Sequence, residues 1–462
     1  MTRQIVLNAF LMSTGHHEAS WRLPESDPFV EADVEYFQDL ARLAERGLLD
    51  SVFFADGPGL WGPIEGVARR PPQVLEPTLL LSAMAAVTER IGLIATATTT
   101  FDEPFNTARR FLSLDRISHG RAGWNVVTTA DTTAGLNFGY TDNPTHAERY
   151  ARAREYLEVV LGLWGGWEEG ATVGDKAAGV HTDPARVHTL DHDGTHFRVK
   201  GPLNVGRSEQ GHPVVVQAGS SPAGIELAAA YAEAVFTAQR TVEEGRDFYR
   251  RLKEATVAAG RDPDHLKVLP GIVPILGGTV AEARAKEKAL EDLIVLDHPL
   301  RQLAADIGIP AERIDLDGPL PADIRPVEEI EGNRSRYELV VDLARRERLT
   351  VRQILVKLGG GRGHRTFVGT PEQVVDDLEL WFTTGAADGF NVMPAVLPSG
   401  LAEFVDGVVP LLQRRGLFRE EYAGDTLRDH YGLPVPASLA ARAVAAAATS
   451  TAPAPGRSLV DA

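Results

Sequence analysis

Eight short apolar runs rich in β-branched residues alternate with amphipathic helical segments, and nothing else in the sequence constrains the fold as tightly. The runs are Gln4–Met12, Asp50–Ala55, Gly92–Thr98, Arg121–Thr128, Pro213–Gln217, Glu233–Thr237, Lys267–Leu276 and Gly389–Met393. Such alternation is the mark of βαβ units, because parallel neighbours need a helical crossover between them. Eight strands close a barrel, so the expected fold is α/β, a (β/α)8 TIM barrel. The chain has 462 residues, more than a bare barrel needs, and the surplus falls in two stretches that break the alternation. One covers about 167–212, rich in Gly, Asp and His, with a strand-like piece at His196–Val199; the other covers about 295–364. Segments this long inside a compact domain usually serve function, so both read as insertions decorating one barrel domain, residues 1–430. The remainder, 431–462, is a low-complexity tail expected to lie extended over the surface or to be disordered.

Helix punctuation supports the alternation. Asp33–Arg46 reads as a helix ending at Gly47. Asn143 and Pro144 read as N-cap and first position of a helix running through Trp164, which places His146 and Tyr150 four apart on one face. Thr370, Pro371 and Gln373 form a capping box ahead of Val374–Phe382.

Composition excludes several function classes. Lys and Arg total 47 against 64 Asp and Glu, a formal net charge of −17, which argues against a nucleic-acid partner. With no cysteine there is no disulfide framework, thiolate nucleophile or cysteine-held metal. The N-terminal apolar run is short and interrupted by Asn8, and no uncharged stretch is long enough to span a bilayer. The expectation is a cytoplasmic protein with no membrane partner. Gly359 to His364 fails the G-x-G-x-x-G pattern at its last position, so no nicotinamide-binding Rossmann unit is expected.

A TIM barrel carries its chemistry at the C-terminal ends of its strands. After the first run, His16 and His17 are adjacent and project apart, which favours ligand contact by His17 over a metal site. Asp56 follows the second run, either as an Asx-turn or as an acceptor for a cofactor N–H. The third run ends in Thr96, Thr98 and Thr100, whose hydroxyls alternate between interior and wall; threonine is also an ordinary strand former. In the fourth, Asn125 is the better candidate for ligand contact and Trp124 reads as core. The fifth runs through a small-residue turn into a helix, with Ser220 and Ser221 at the helix N-terminus. Two readings fit that turn, a phosphate cradle and a plain serine N-cap. Ala223 stands where a nucleophile elbow needs glycine. His188 and His192 are four apart, but Pro184, Asp191, Asp193 and Gly194 mark the stretch as loop, so no metal is expected.

Taken together, GHHEASWR, FFADGP, AAVTERIGLIATATTTFDEPFNTARRFLSLDRISHGRAGWNVVTT, NFGY, HAERYARAREYLEVV, GPLNV, PVVVQAGSSPAG, GTPEQVVDDL and GAADGFNVMP follow one another from the first strand to about Leu417. In these stretches the chain resembles the bacterial luciferase-like flavin-dependent monooxygenases. The branch is the one holding nitrilotriacetate, dibenzothiophene sulfone, pristinamycin synthase and long-chain alkane monooxygenases. The resemblance implies a two-component enzyme that receives reduced FMN from an NAD(P)H:FMN reductase and uses O2 to oxygenate a small organic substrate. It implies flavin contacts at Asp56, Thr98, Asn125, His146, Tyr150, Ser220 and Ser221, with the serines on the phosphate and His17 as the catalytic candidate on the substrate side. The family often has Ser where Thr98 stands, which leaves the choice among Thr96, Thr98 and Thr100 open. A homodimer or homotetramer is also implied. Two other readings stand beside this one: a deazaflavin- or flavin-dependent dehydrogenase of the same superfamily, and a non-catalytic flavin-binding paralogue. Arg22 and Arg207 are candidates to meet an anionic substrate, or are plain surface charges.

Overall fold

In the computed structural model, which describes residues 3–60, 64–68, 71, 75–330, 334–361 and 363–438, the eight expected runs all form strands. They are β1 (Val6–Phe10), β2 (Ser51–Phe54), β3 (Gly92–Thr98), β4 (Ala122–Val127), β5 (Val214–Ala218), β6 (Ala234–Thr237), β7 (Lys267–Leu276) and β8 (Gly389–Val392). All neighbours pair in parallel in the order β6-β5-β4-β3-β2-β1-β8-β7, and β6 pairs with β7 from Ala234↔Lys267 to Thr237↔Pro270, which closes the barrel. A further strand, Arg365–Gly369, lies outside the expected set and pairs with Ile272–Leu276. With ten residues β7 outruns its barrel partners, so its upper half is free to take another neighbour.

The main helices are α1 (Val34–Arg46), α2 (Pro77–Ala85), α3 (Pro104–Ile117), α4 (His146–Trp164), α5 (Pro222–Tyr231), α6 (Val242–Ala258), α7 (Val280–Glu291), α8 (Asp297–Ile307), α9 (Arg334–Glu347), α10 (Val351–Gly361), α11 (Pro371–Thr383) and α12 (Leu427–Tyr431). The capping box of Thr370 and Gln373 is present as read. Two ends differ from expectation. The N-cap of α4 is Thr145, in a capping box with Glu148, while Asn143 donates instead to the Ala130 carbonyl. At the end of α1, Gly47 has φ −79° and Leu48 takes the left-handed conformation with φ 57°.

Period-two alternation sorts the strand side chains into two cores. Phe10, Phe53, Ile94, Val216 and Phe236 fill the interior, where the three phenylalanine rings meet edge to face at 4.6–5.7 Å. Trp124 faces the helical layer among Phe111, Tyr156 and Trp164 and donates its indole N–H to Ala97 O, so it is core as read.

The first insertion holds two short hairpins, Thr172–Asp175 with Val180–Thr182 and His192–Asp193 with Arg198–Val199. The second hairpin is narrower than the expected strand from His196. It is pinned to α4 by Glu155, which accepts from the backbone of His196 and Phe197. In the second insertion α8, α9 and α10 share an apolar cluster that includes Leu303, Ile307, Val341 and Ile354. Its last helix reaches the segment after β1, where Glu18 N–H donates to Gly359 O at 2.9 Å. Its middle helix reaches α6, where Arg346 meets Glu244 at 2.5 Å.

The N-terminal end of the barrel is closed by residues around α12. A Cβ on Gly92 would lie 2.5 Å from the Leu427 side chain, so glycine there makes room for the plug. Tyr431 donates to Asn8, Asn8 to Asn391, and Asn391 to Leu269 O, a polar chain across the barrel floor. Arg428 bridges to Glu233, and Arg419 pairs with the buried Asp50. The first residues of the expected tail therefore pack: Arg428 also donates to Pro434 O, and Leu433 is buried. Residues 439–462 lie outside the described residues.

Candidate functional site

Polar groups buried at the C-terminal ends of the strands carry the candidate site. On β4, Asn125 faces the interior level with Thr96 of β3. Its Nδ2 donates to Thr96 Oγ1 at 2.8 Å, and Thr96 donates to Phe54 O at 2.8 Å. This relay fixes the amide, and it leaves Asn125 Oδ1 buried with no partner. One turn of the pleat higher on the same face, Thr98 Oγ1 accepts from Thr100 N–H at 3.0 Å. Thr96 spends its proton on β2 and Thr100 points its hydroxyl at Thr129 O; Thr98 keeps its proton to donate.

Gly219, with φ +150°, turns the chain from β5 into α5, a conformation that suits glycine. Ser221 then caps the helix, its Oγ accepting from Gly224 N–H at 3.1 Å. The N-cap reading thus holds for Ser221, whose hydroxyl proton is still available, and half-buried Ser220 lies beside it. Tyr150 arrives from α4: a Cβ built on Gly219 would lie 3.8 Å from its hydroxyl. One helical turn earlier His146 packs on Tyr150 with ring centroids 4.7 Å apart, as their spacing suggested. Gln217, at the end of β5, has a buried Oε1 without a partner. The reading of the sequence passed over it, although an amide in an apolar strand is the same signal that picked out Asn125.

Asp56 lies half-buried beyond β2. Burial raises its pKa, while the Gly57 N–H donating to its carboxylate pulls the other way. Glu76, Arg110 and Asp102 are the other charges acting on it.

Across the barrel mouth, His17 is 2% exposed. Its Nδ1 accepts from Ala19 N–H at 3.2 Å, so the neutral ring carries its proton on Nε2, which is buried without a partner. Burial pushes its pKa down to about 4, so the ring stays neutral near pH 7. Trp21 Nε1 and Arg240 Nη1 are further buried atoms without a hydrogen-bond partner, on the connections after β1 and β6. Among the described residues no group of three or more His, Asp or Glu can hold a metal ion. His188 and His192 bond to separate carboxylates, Glu168 and Glu155. Neither arginine proposed for an anion joins the site: Arg22 is exposed and bonds Leu293 O, and Arg207 bonds Pro436 O at the opposite end of the barrel.

This arrangement belongs with known proteins. The profile of the luciferase-like monooxygenase family matches residues 9–388. The N-acetyl-S-(2-succino)cysteine monooxygenase of Bacillus subtilis (strain 168) is 47% identical over 440 residues, covering 94% of this chain and 98% of that protein. Nitrilotriacetate monooxygenase component A of Aminobacter aminovorans is 46% identical over 453 residues, covering 95% and 99%. Among solved structures, a riboflavin lyase with modified FMN and the substrate riboflavin superposes with a TM-score of 0.83 at 29% identity, over 94% of this chain and 97% of that one.

Proposed function

Since the chain belongs to the luciferase-like monooxygenase family, we propose that this flavin-dependent monooxygenase is the oxygenating half of a two-component system. It takes reduced FMN from a separate NAD(P)H:FMN reductase and uses O2 to oxygenate a small organic substrate. The observation that carries the reading is the orphaned acceptor Asn125 Oδ1, buried beside Thr96 on the interior face. A buried polar atom without a partner costs about 1–3 kcal/mol, a cost that a bound flavin, rich in ring N–H donors, removes. Reduced FMN would supply the electrons for oxygen activation.

The residues divide the work of holding it. Ser220, Ser221 and the N-terminus of α5 bind the phosphate through hydroxyls and the helix dipole. Tyr150 and His146 flank that turn. Thr98, Asn125 and Asp56 meet the ring and ribityl chain. His17 faces the substrate and donates through Nε2–H without changing charge near neutrality. The two insertions, decorations of the barrel rather than separate domains, keep water from the reacting centre.

The division into two components is supported by the name of one relative, a component A, and by the missing G-x-G-x-x-G pattern in this chain. The test combines the protein with FMN, a flavin reductase, NADH and candidate substrates, under air and under nitrogen. Product is expected under air and only with the reductase present; turnover under nitrogen would overturn the reading.

A further inference from the structure

Several buried polar atoms on the connections after the barrel strands have no hydrogen-bond partner. They include the acceptor Asn125 Oδ1 on β4 and, on the connections after β1 and β6, the donors His17 Nε2–H, Trp21 Nε1–H and Arg240 Nη1, with Glu31 Oε2 and Thr237 Oγ1 also unpartnered on that side. Buried donors call for an acceptor, and a guanidinium among them calls for an anionic one. Resting on the flavin reading above, we propose that the substrate is an organic carboxylate whose anionic group is held by Arg240 at the end of β6, with His17 and Trp21 as further donors.

Charge counting around Arg240 supports this. Its neighbours are Glu244 and Glu347 on the negative side and Arg346 on the positive. Those carboxylates are already engaged: Glu244 by Arg346 at 2.5 Å, and Glu347 by Lys357 at 3.1 Å and Arg346 at 3.8 Å. Three cations thus face two carboxylates, and Arg240 is the one whose side chain makes no ion pair among the described residues. Glu244 Oε2 binds the Arg240 backbone N–H instead. Burial lowers the Arg240 pKa, yet a guanidinium remains charged in a protein. The uncovered charge is therefore real at neutral pH.

The two strands that lead into the donor connections end on a common apolar floor. Phe10 at the end of β1 and Phe236 at the end of β6 meet at 5.5 Å, and His364 stacks on Phe236 at 4.9 Å. The second insertion joins both sides, with α10 at His17, where a Cβ on Gly360 would lie 3.7 Å from the ring, and α9 at Glu244. A ligand that suits this chamber has a carboxylate for the arginine and an uncharged body for the aromatic floor. The two relatives described above are named for nitrilotriacetate and N-acetyl-S-(2-succino)cysteine, both polycarboxylates.

The test is calorimetric titration of the FMN-supplemented protein with N-acetyl-S-(2-succino)cysteine, nitrilotriacetate and succinate, each beside its fully methylated ester. The expected result is a preference of about tenfold or more for at least one acid over its ester, as the loss of one charge-assisted hydrogen bond implies. In Arg240→Met that preference disappears while FMN affinity is kept. Arg240→Lys, which keeps the charge and loses the fork, retains part of it and serves in place of the methionine variant if that chain does not fold. Equal affinity for acids and esters, no binding of any acid, or full preference surviving in either variant overturns the proposal. A parallel FMN titration separates this failure from failure of the flavin reading.

Discussion

At the N-terminal end of the barrel Arg428, 1% exposed, reaches both oxygens of Glu233, at 2.5 and 3.0 Å. At the C-terminal end Asn125, 3% exposed, has an acceptor oxygen that nothing in the chain meets. The closed end buries charges and pairs three of them directly, as Arg428–Glu233, Arg419–Asp50 and Lys253–Asp388, while Arg121 is held by backbone carbonyls. Single atoms stay unpaired there as well, Arg428 Nε on a side chain already tied to a counter-charge, Ser51 Oγ and Asp115 Oδ2 on side chains held only by other hydrogen bonds or packing. The open end buries Asn125 and His17, each held by one of its atoms with another left unpartnered, and there the Arg240 side chain has no ion pair among the described residues. The closed end completes its own contacts; the open end, where the flavin site is proposed, leaves contacts open.

The largest effect expected from this contrast is at the closed end. Arg428→Met strands the buried Glu233 carboxylate and is predicted to cost about 3–5 kcal/mol in urea unfolding, with FMN affinity unchanged in the fraction that folds. A loss of affinity without loss of stability would break the comparison.

The next concerns acid. Burial holds His17 neutral, with its pKa down at about 4 against 6.5 for the free side chain. Between those values the unfolded chain binds the proton that the folded chain refuses. This contribution is therefore present above pH 6.5 and is lost as pH falls toward 4, a swing of about 3 kcal/mol. His17→Gln lacks the swing. Urea midpoints of variant and parent, compared at pH 7 and pH 4.5, should shift in favour of the variant on acidification; a constant difference would mean that the imidazole takes up its proton as readily in the fold as in the unfolded chain.

The smallest effect on stability is expected at Asn125. Asn125→Leu loses the bond to Thr96 and also removes the orphaned oxygen, so the two nearly cancel, within about 1 kcal/mol. FMN affinity should nevertheless fall about tenfold. A large stability loss with intact affinity would assign Asn125 to the scaffold.

Much of the barrel could be read from the chain because β-branched runs and helix caps are local signals. Gly92–Thr98 and Lys267–Leu276 match their observed strands end to end. Asn125 stood out as an amide in an apolar strand, and the Ser220–Ser221 turn by its place before a helix. The N-cap of α4 was misplaced because Asn143 and Thr145 are both capping types, and Glu148, three residues after Thr145, was the deciding signal. The closed end was not read because its pairs are distant: Arg428 and Glu233 are 195 residues apart, and no local pattern announces a plug. Arg240 was missed for a related reason, since a charged residue before a helix looks solvated until the insertion is laid beside it.

The central claim, that the open end is a flavin site built on the β5–α5 turn, is tested most directly by anaerobic titration with reduced FMN. The protein is predicted to bind it, and Ser220→Ala with Ser221→Ala to weaken binding at least several fold, each lost donor to a charged oxygen being worth about 1.5–3 kcal/mol before water compensates. Unchanged affinity in the double variant, or no binding by the unaltered protein, would contradict it.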